Sequence, residues 1–274
     1  EISACLVGSE MCIRDRIYVA GVVHEECFEG VAAREISSFV KPDYVVIGEA
    51  SQLNIKIGQR GRGEIVLETF GKPCHSANPE KGINAVYKMA KVIEAIRTLE
   101  PTHHPVLGDG ILELTDIKSA PYPGASVVPE YCRATYDRRL LVGETKESVL
   151  APIQALLDKL MAEDPQLKAK VSYAVGKEQC YTGNEITGER FFPGWLYDEK
   201  DAFVQDVKKE LEGMGYTPEI TQYNFCTNGS HYAGEAGIKT FGLGPSKENL
   251  AHTVNEYIEI DQLTKVTDCY YGVM

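Results

Sequence analysis

Ile17-Tyr18-Val19-Ala20-Gly21-Val22-Val23-His24-Glu25-Glu26 is the stretch on which the fold turns. Ile17 to Val23 is continuously apolar and β-rich, which suits a short strand covered on both faces. Its abrupt end in His24, Glu25 and Glu26 is what a buried strand does on reaching a cleft. Downstream, Tyr44-Val45-Val46-Ile47 repeats the design and ends in Gly48-Glu49-Ala50-Ser51. Helix-compatible spacing fills Gly30 to Phe39 between them. Two strands with acidic ends, joined by a helix, predict an open α/β sheet whose ligand crevice lies beyond the carboxyl ends of the strands.

The texture changes near Ile55. A strand is predicted over 64–70, with Glu64 and Glu68 outward and Ile65 and Leu67 inward. A helix follows with Pro79 in its first turn and Ile83, Val86, Ala90, Ile93 and Ile96 on one face. Strands over 111–117 and 127–136, a helix marked by Val149, Ile153, Leu156, Leu157 and Leu160, and a strand over 167–175 complete the order β-α-β-β-α-β of a ferredoxin-like module. Past Gly176 come a Gly-rich and aromatic loop, a helix carrying Phe203, Val204, Val207 and Leu211, strands over 219–225 and 240–243 around a loop at 227–229, and a last helix capped by Asp261. The expected organisation is a split α/β domain (1–54 and 179–274), its central sheet flanked by helices, interrupted by an α+β insert (55–178). Residues 1–16 show no periodicity and read as foreign to the fold.

A chain of 274 residues with 43% hydrophobic and 25% charged side chains can bury a substantial core. Its net charge of −12, with no Lys/Arg cluster, argues against nucleic acid and anionic membranes as partners. No apolar run approaches the roughly 20 residues that cross a bilayer. Eight cysteines without a Cys-x-x-Cys pair, and no visible leader, predict reduced thiols and a cytoplasmic location.

Three features carry possible chemistry: the Glu25-Glu26 pair, Glu49 at the second strand end, and His252 in Ala251-His252-Thr253-Val254-Asn255-Glu256. Carboxylate and imidazole donors suit zinc, or cobalt and manganese. On an extended backbone adjacent side chains diverge, so one glutamate can bind a metal while the other serves as a base. Glu-Glu pairs are common on solvated surfaces, and only the strand that precedes this one favours function. His24-Glu25 does not open a His-Glu-x-x-His motif, because Phe28 stands at its last position. Cys74 beside His75, Ser230 without the glycines of a nucleophile elbow, and Arg60-Gly61-Arg62-Gly63 ahead of a strand are each set aside.

Taken together, Val22-Val23-His24-Glu25-Glu26, Val46-Ile47-Gly48-Glu49-Ala50, Gly71-Lys72-Pro73-Cys74-His75-Ser76-Ala77-Asn78-Pro79 and His252-Thr253-Val254-Asn255-Glu256 resemble the co-catalytic zinc amidohydrolase and exopeptidase family. That family contains aminoacylase, acetylornithine deacetylase, succinyl-diaminopimelate desuccinylase and glutamate carboxypeptidase. Within it the chain is most similar to the branch linked to selenium metabolism. The resemblance implies a catalytic domain interrupted by a lid and dimerisation domain, two zinc ions (cobalt or manganese being alternatives), a homodimer formed through the lid, and a small amide or dipeptide substrate. It implies Glu25 as general base, Glu26 and Glu49 as ligands of the two metals, and His252 as the late imidazole ligand. It further implies His75 as the lid histidine that steadies the oxyanion across the dimer, Arg139 as the grip on a substrate carboxylate, and Asn228, Gly229 and Ser230 as a substrate-contacting loop.

The chain also departs from the family pattern. The His-x-Asp motif and the bridging aspartate, which precede the Glu-Glu pair in the family, have no counterpart: no histidine precedes His24, and Asp15 lies in the stretch read as foreign. The expectation is an N-terminally truncated member, inactive by itself, from a parent that hydrolyses an amide bond beside a carboxylate. The alternative is a non-catalytic dimerisation or ligand-binding protein derived from that family.

Overall fold

The computed structural model describes residues 16–274 and the backbone of 4–6; the reading of the rest of 1–15 falls outside the described residues. Five helices occur among the described residues: α1 (Val31–Val40), α2 (Ala85–Ile96), α3 (Lys146–Glu163), α4 (Ala202–Gly213) and α5 (Ile260–Val273). The chain divides into two compact units, the second made of Arg62–Val175 with Glu189–Phe191 and the first of the remainder. The architecture is mixed α/β, as expected.

In the first unit a central sheet runs in the order Trp195–Leu196, Ile55–Gln59, Lys239–Gly242, Tyr44–Ile47, with Ile220–Tyr223 also paired to Ile55–Gln59. Two of its pairings are parallel, Lys239–Gly242 with Tyr44–Ile47 and Ile220–Tyr223 with Ile55–Gln59. Ile55, Leu243, Val204 and Leu211 are fully buried where α4 and α5 pack on this sheet. Ala33 of α1 joins Ile47, Tyr223 and Tyr232 in a second cluster. Each such aliphatic side chain contributes about 1.5–3 kcal/mol by leaving water. Tyr44–Ile47 and α1 fall where the periodicity puts them, but the strand expected over 17–23 does not. Only Tyr18–Ala20 is extended, it pairs antiparallel with Ala4–Leu6, and Val19 and Val23 are exposed. Its apolar residues find no place in the central sheet, so they are not covered on both faces. The loop expected past Gly176 contains a two-stranded sheet, Val175–Gln179 with Glu185–Glu189. Asp261 sits in the first turn of α5 and pairs with Lys265, while Glu259 occupies the cap position.

The second unit places Lys168–Tyr173, Gly61–Phe70, Tyr131–Leu140 and Ile111–Ala120 side by side in that order, the arrangement of a ferredoxin-like sheet. One face is sealed by α2 and α3: Ile65, Leu67, Ala134 and Tyr136 meet Met89, Val92, Ile153 and Leu157. The two-residue alternation in Gly61–Phe70 and Tyr131–Leu140 leaves Arg62, Glu64, Asp137 and Arg139 on the other face. Pro79 opens a separate short turn rather than α2, which is capped by Asn84 Oδ1 accepting from the amides of Val86 and Tyr87. Cys27, Cys74, Cys132, Cys180, Cys226 and Cys269 are free thiols. No helix among the described residues is long and apolar enough to cross a membrane.

Candidate functional site

Glu25 lies in a tight turn of the first unit. His24 is in the left-handed region (φ 52°), Glu25–Cys27 form one 3-10 turn, and Gly30, again left-handed (φ 99°), leads into α1. The extended backbone expected at the Glu-Glu pair is therefore absent. The chain must reverse here to enter α1, so the two carboxylates diverge around a turn instead of along a pleat. Burial, reinforced by the negative charges of Glu49, Glu29 and Glu26, pushes the Glu25 carboxyl up to about 8, against the backbone N–H of Asn228 that favours its charged form. A carboxyl held so near neutrality is poised for proton transfer.

Glu49 follows the end of Tyr44–Ile47, where the hydroxyl of the buried Tyr223 donates to the Glu49 carbonyl at 3.1 Å. Lost hydration and then the charge of Glu26 raise the Glu49 carboxyl above its ordinary range, and His252 opposes them. His252 Nε2 lies 3.4 Å from Glu26 Oε2, with both side chains about three-quarters exposed. Its loop is strained, since His252 and Asn255 are both left-handed (φ 59° and 62°). Four of the expected site residues, Glu25, Glu26, Glu49 and His252, thus share one electrostatic neighbourhood. The donor types suit zinc, cobalt or manganese. The geometry is only half a site: among the described residues no three His, Cys, Asp or Glu side chains stand close enough to hold an ion, and a catalytic zinc uses three protein ligands.

Beside Glu25 runs the turn 226–235, organised on the fully buried amide of Gln59. Gln59 Nε2 donates to the Ser230 hydroxyl (3.1 Å) and the Thr227 carbonyl (3.3 Å), and Thr227 Oγ1 donates to Gln59 Oε1 (2.7 Å). Ser230 is 1% exposed and its hydroxyl also bonds Cys226 Sγ, so its side chain faces the interior. Gly229 is buried under Trp195, whose ring nitrogen would lie 2.6 Å from a Cβ there; a side chain does not fit. Of the three loop residues only Asn228 borders the site, with Oδ1 accepting from the Gly30 amide at 2.9 Å. Gln59, His231, Glu235, Arg34 and Ser37 escaped the sequence reading. The four-residue spacing of His231 and Glu235 was the available signal.

His75 and Arg139 belong to the second unit. His75 is exposed, bridges to Val127, and turns Nδ1 onto the Ala77 amide (3.1 Å), which leaves Nε2 as the outward nitrogen. Arg139 donates Nε to Asp137 Oδ2 (2.8 Å), while Arg62 Nε holds the other oxygen (3.1 Å). The three line a cavity of about 430 Å³ with Glu64, Glu113 and Thr115.

Residues 57–165 match the family description "peptidase dimerisation domain". The uncharacterized protein YgeY of Escherichia coli is 34% identical over 245 residues, 88% of this chain and 59% of its own length. The chain carries the M20 peptidase dimerisation domain over residues 57–165. Acetylornithine deacetylase of Vibrio vulnificus is 26% identical, covering 92% of this chain and 62% of its own. The fold matches that of aminopeptidase PepT from Bacillus cereus (TM-score 0.67, 20% identity, 92% of this chain and 62% of that one). It also matches the YXEP protein of Bacillus subtilis, a dinuclear metal-binding peptidase of the M20 family (TM-score 0.61, 12% identity, 91% and 62%). The chain spans about three fifths of the length of the relatives it matches.

Proposed function

We propose that the M20 protein represented by this chain is a metal-dependent hydrolase of an amide bond beside a carboxylate, in an N-acyl amino acid or small peptide. The observation that supports this most is the gathering of Glu25, Glu26, Glu49 and His252, with the Glu25 carboxyl lifted to about 8. Glu26, Glu49 and His252 would hold zinc, or cobalt or manganese. When bound, such an ion polarises a carbonyl and lowers the pKa of water toward about 7. Glu25 takes the proton of the attacking water and returns it to the leaving amine. His75, its Nε2 outward, donates to the developing oxyanion from the lid of a second subunit, and Arg139 offers the two terminal nitrogens not tied to Asp137 to a substrate carboxylate. The dimer forms through the lid, whose sheet ends in Ile111–Ala120 with Ile117 exposed.

The half-complete ligand set favours a second reading for the isolated chain, a non-catalytic dimerising or ligand-binding body. One experiment separates the two. The protein, extended to the length of its relatives, is loaded with zinc or cobalt and screened against N-acyl amino acids and dipeptides. Metal-dependent turnover that the 274-residue chain lacks supports the hydrolase reading; a metal-free, inactive full-length protein supports the other.

A further inference from the structure

Ser37, His231 and Glu235 line up like a catalytic triad: His231 Nε2 is 2.6 Å from Ser37 Oγ, and His231 Nδ1 is 2.8 Å from Glu235 Oε2. Their surroundings argue against a nucleophile. Arg34 binds the Glu235 carboxylate with two nitrogens (2.8 and 2.6 Å), so the acid that would orient a basic histidine is already engaged. The Ser37 hydroxyl lies 3.1 Å from the Arg34 carbonyl, where it donates within its own helix.

What the cluster does is tie two segments together. Arg34 and Ser37 are on α1; His231 and Glu235 are on Ser230–Glu235, one turn of π-helix whose register is set by the Ala236 amide donating to the His231 carbonyl (2.9 Å). Such turns are frequent at functional sites. The His231 amide donates to the Asn228 carbonyl (3.0 Å), and a Cβ on Gly30 would stand 2.9 Å from the His231 Cβ. Asn228, fixed from below, holds the end of the Glu25 turn: its side-chain oxygen accepts from Gly30 at 2.9 Å, and its backbone N–H favours the charged form of the Glu25 carboxyl. His231 itself is 8% exposed and does not reach the cleft.

We infer that His231, locked between Ser37 and the Arg34–Glu235 pair, is a positioning residue that holds Asn228 against the turn bearing the general base Glu25. The inference rests on the hydrolase reading. Loosening the lock leaves the substrate and metal contacts in place and misaligns the base, and a misplacement of about 1 Å costs on the order of a hundredfold in turnover.

The test uses His231→Ala and the milder Ser37→Ala and Glu235→Gln, which leave the core filled. On the 274-residue chain, hydrogen exchange at the Gly30 amide should quicken by about tenfold or more in each variant, while Leu67 and Leu157 amides in the second unit keep their rates. In the full-length metal-loaded protein kcat should fall by roughly ten- to a hundredfold with KM and metal content within about twofold. Unchanged Gly30 exchange, or a loss carried by KM or metal content, overturns the inference. Glu25→Gln keeps the two ideas apart: if it abolishes turnover while the lock variants match the parent, His231 has no positioning role and the hydrolase reading stands. If it leaves turnover intact, the base assignment fails and the inference with it.

Discussion

Two sides of one candidate site are built in opposite ways. The turn that bears Glu25 is held at Gly30 by Asn228, whose neighbour Thr227 is bonded to Gln59 and whose carbonyl accepts from His231 of a buried lock. Glu26 and His252 meet at 3.4 Å in solvent, and every residue of 251–260 is exposed. A base must be pre-aligned by the protein, because nothing else in the site fixes its direction. Ligands are drawn into place by the ion they bind, and metal binding of this kind is coupled to ordering of the site. On the proposed hydrolase reading, the difference teaches that the proton-handling side of the site is rigid while the metal-holding side stays open.

The largest expected effect strikes the rigid side. Glu25→Gln in the full-length protein should retain metal and lose roughly a hundred- to ten-thousandfold in kcat, the usual weight of a general base. Metal analysis beside steady-state kinetics checks it, and lost metal with retained activity would reverse the roles assigned to Glu25 and Glu26. Next comes the open side. His252→Ala should weaken zinc affinity by at least about 10- to 100-fold, since losing even a group that only orients a ligand costs that much. Competition with a chelating dye reads it, and Gly30 exchange should not move. If the two sides respond together, the contrast between them is false.

The smallest effect is one of pH. Burial alone would raise the Glu235 carboxyl, but hydrogen bonds from Arg34 and His231 outweigh it and hold the group at about 2, below its ordinary 4.5. A depressed acid contributes stability above 4.5 that is lost as pH falls toward 2. Denaturant titrations should show the parent weakening over that window more steeply than Glu235→Gln. Parallel curves would mean the lock carries no linked proton.

Periodicity sufficed for the second unit because Ile65, Leu67, Val149, Ile153 and Leu157 answer to one local rule, apolar residues facing one layer of helices. It failed at Ile17–Val23, where burial depends on neighbours that composition does not name, and the run stays exposed at Val19 and Val23. Glu25, Glu26, Glu49 and His252 were legible as donor types, but the strand end expected to carry the first two is a 3-10 turn. A hydroxyl in a glycine loop looks the same in sequence whether it faces the cleft or, as at Ser230, Gln59. Gln59 and His231 were invisible for a related reason: their work is to satisfy buried polar groups far away in the chain, a pairing only the folded structure reveals.

The central claim is that Glu26, Glu49 and His252 receive metal while Glu25 stands beside it with its carboxylate free. Anomalous scattering from crystals of the cobalt-loaded protein, extended to the length of its relatives, measures this directly. The account predicts cobalt peaks bonded to those three side chains and none bonded to Glu25. Cobalt bound through Glu25, or peaks remote from His252, would contradict it.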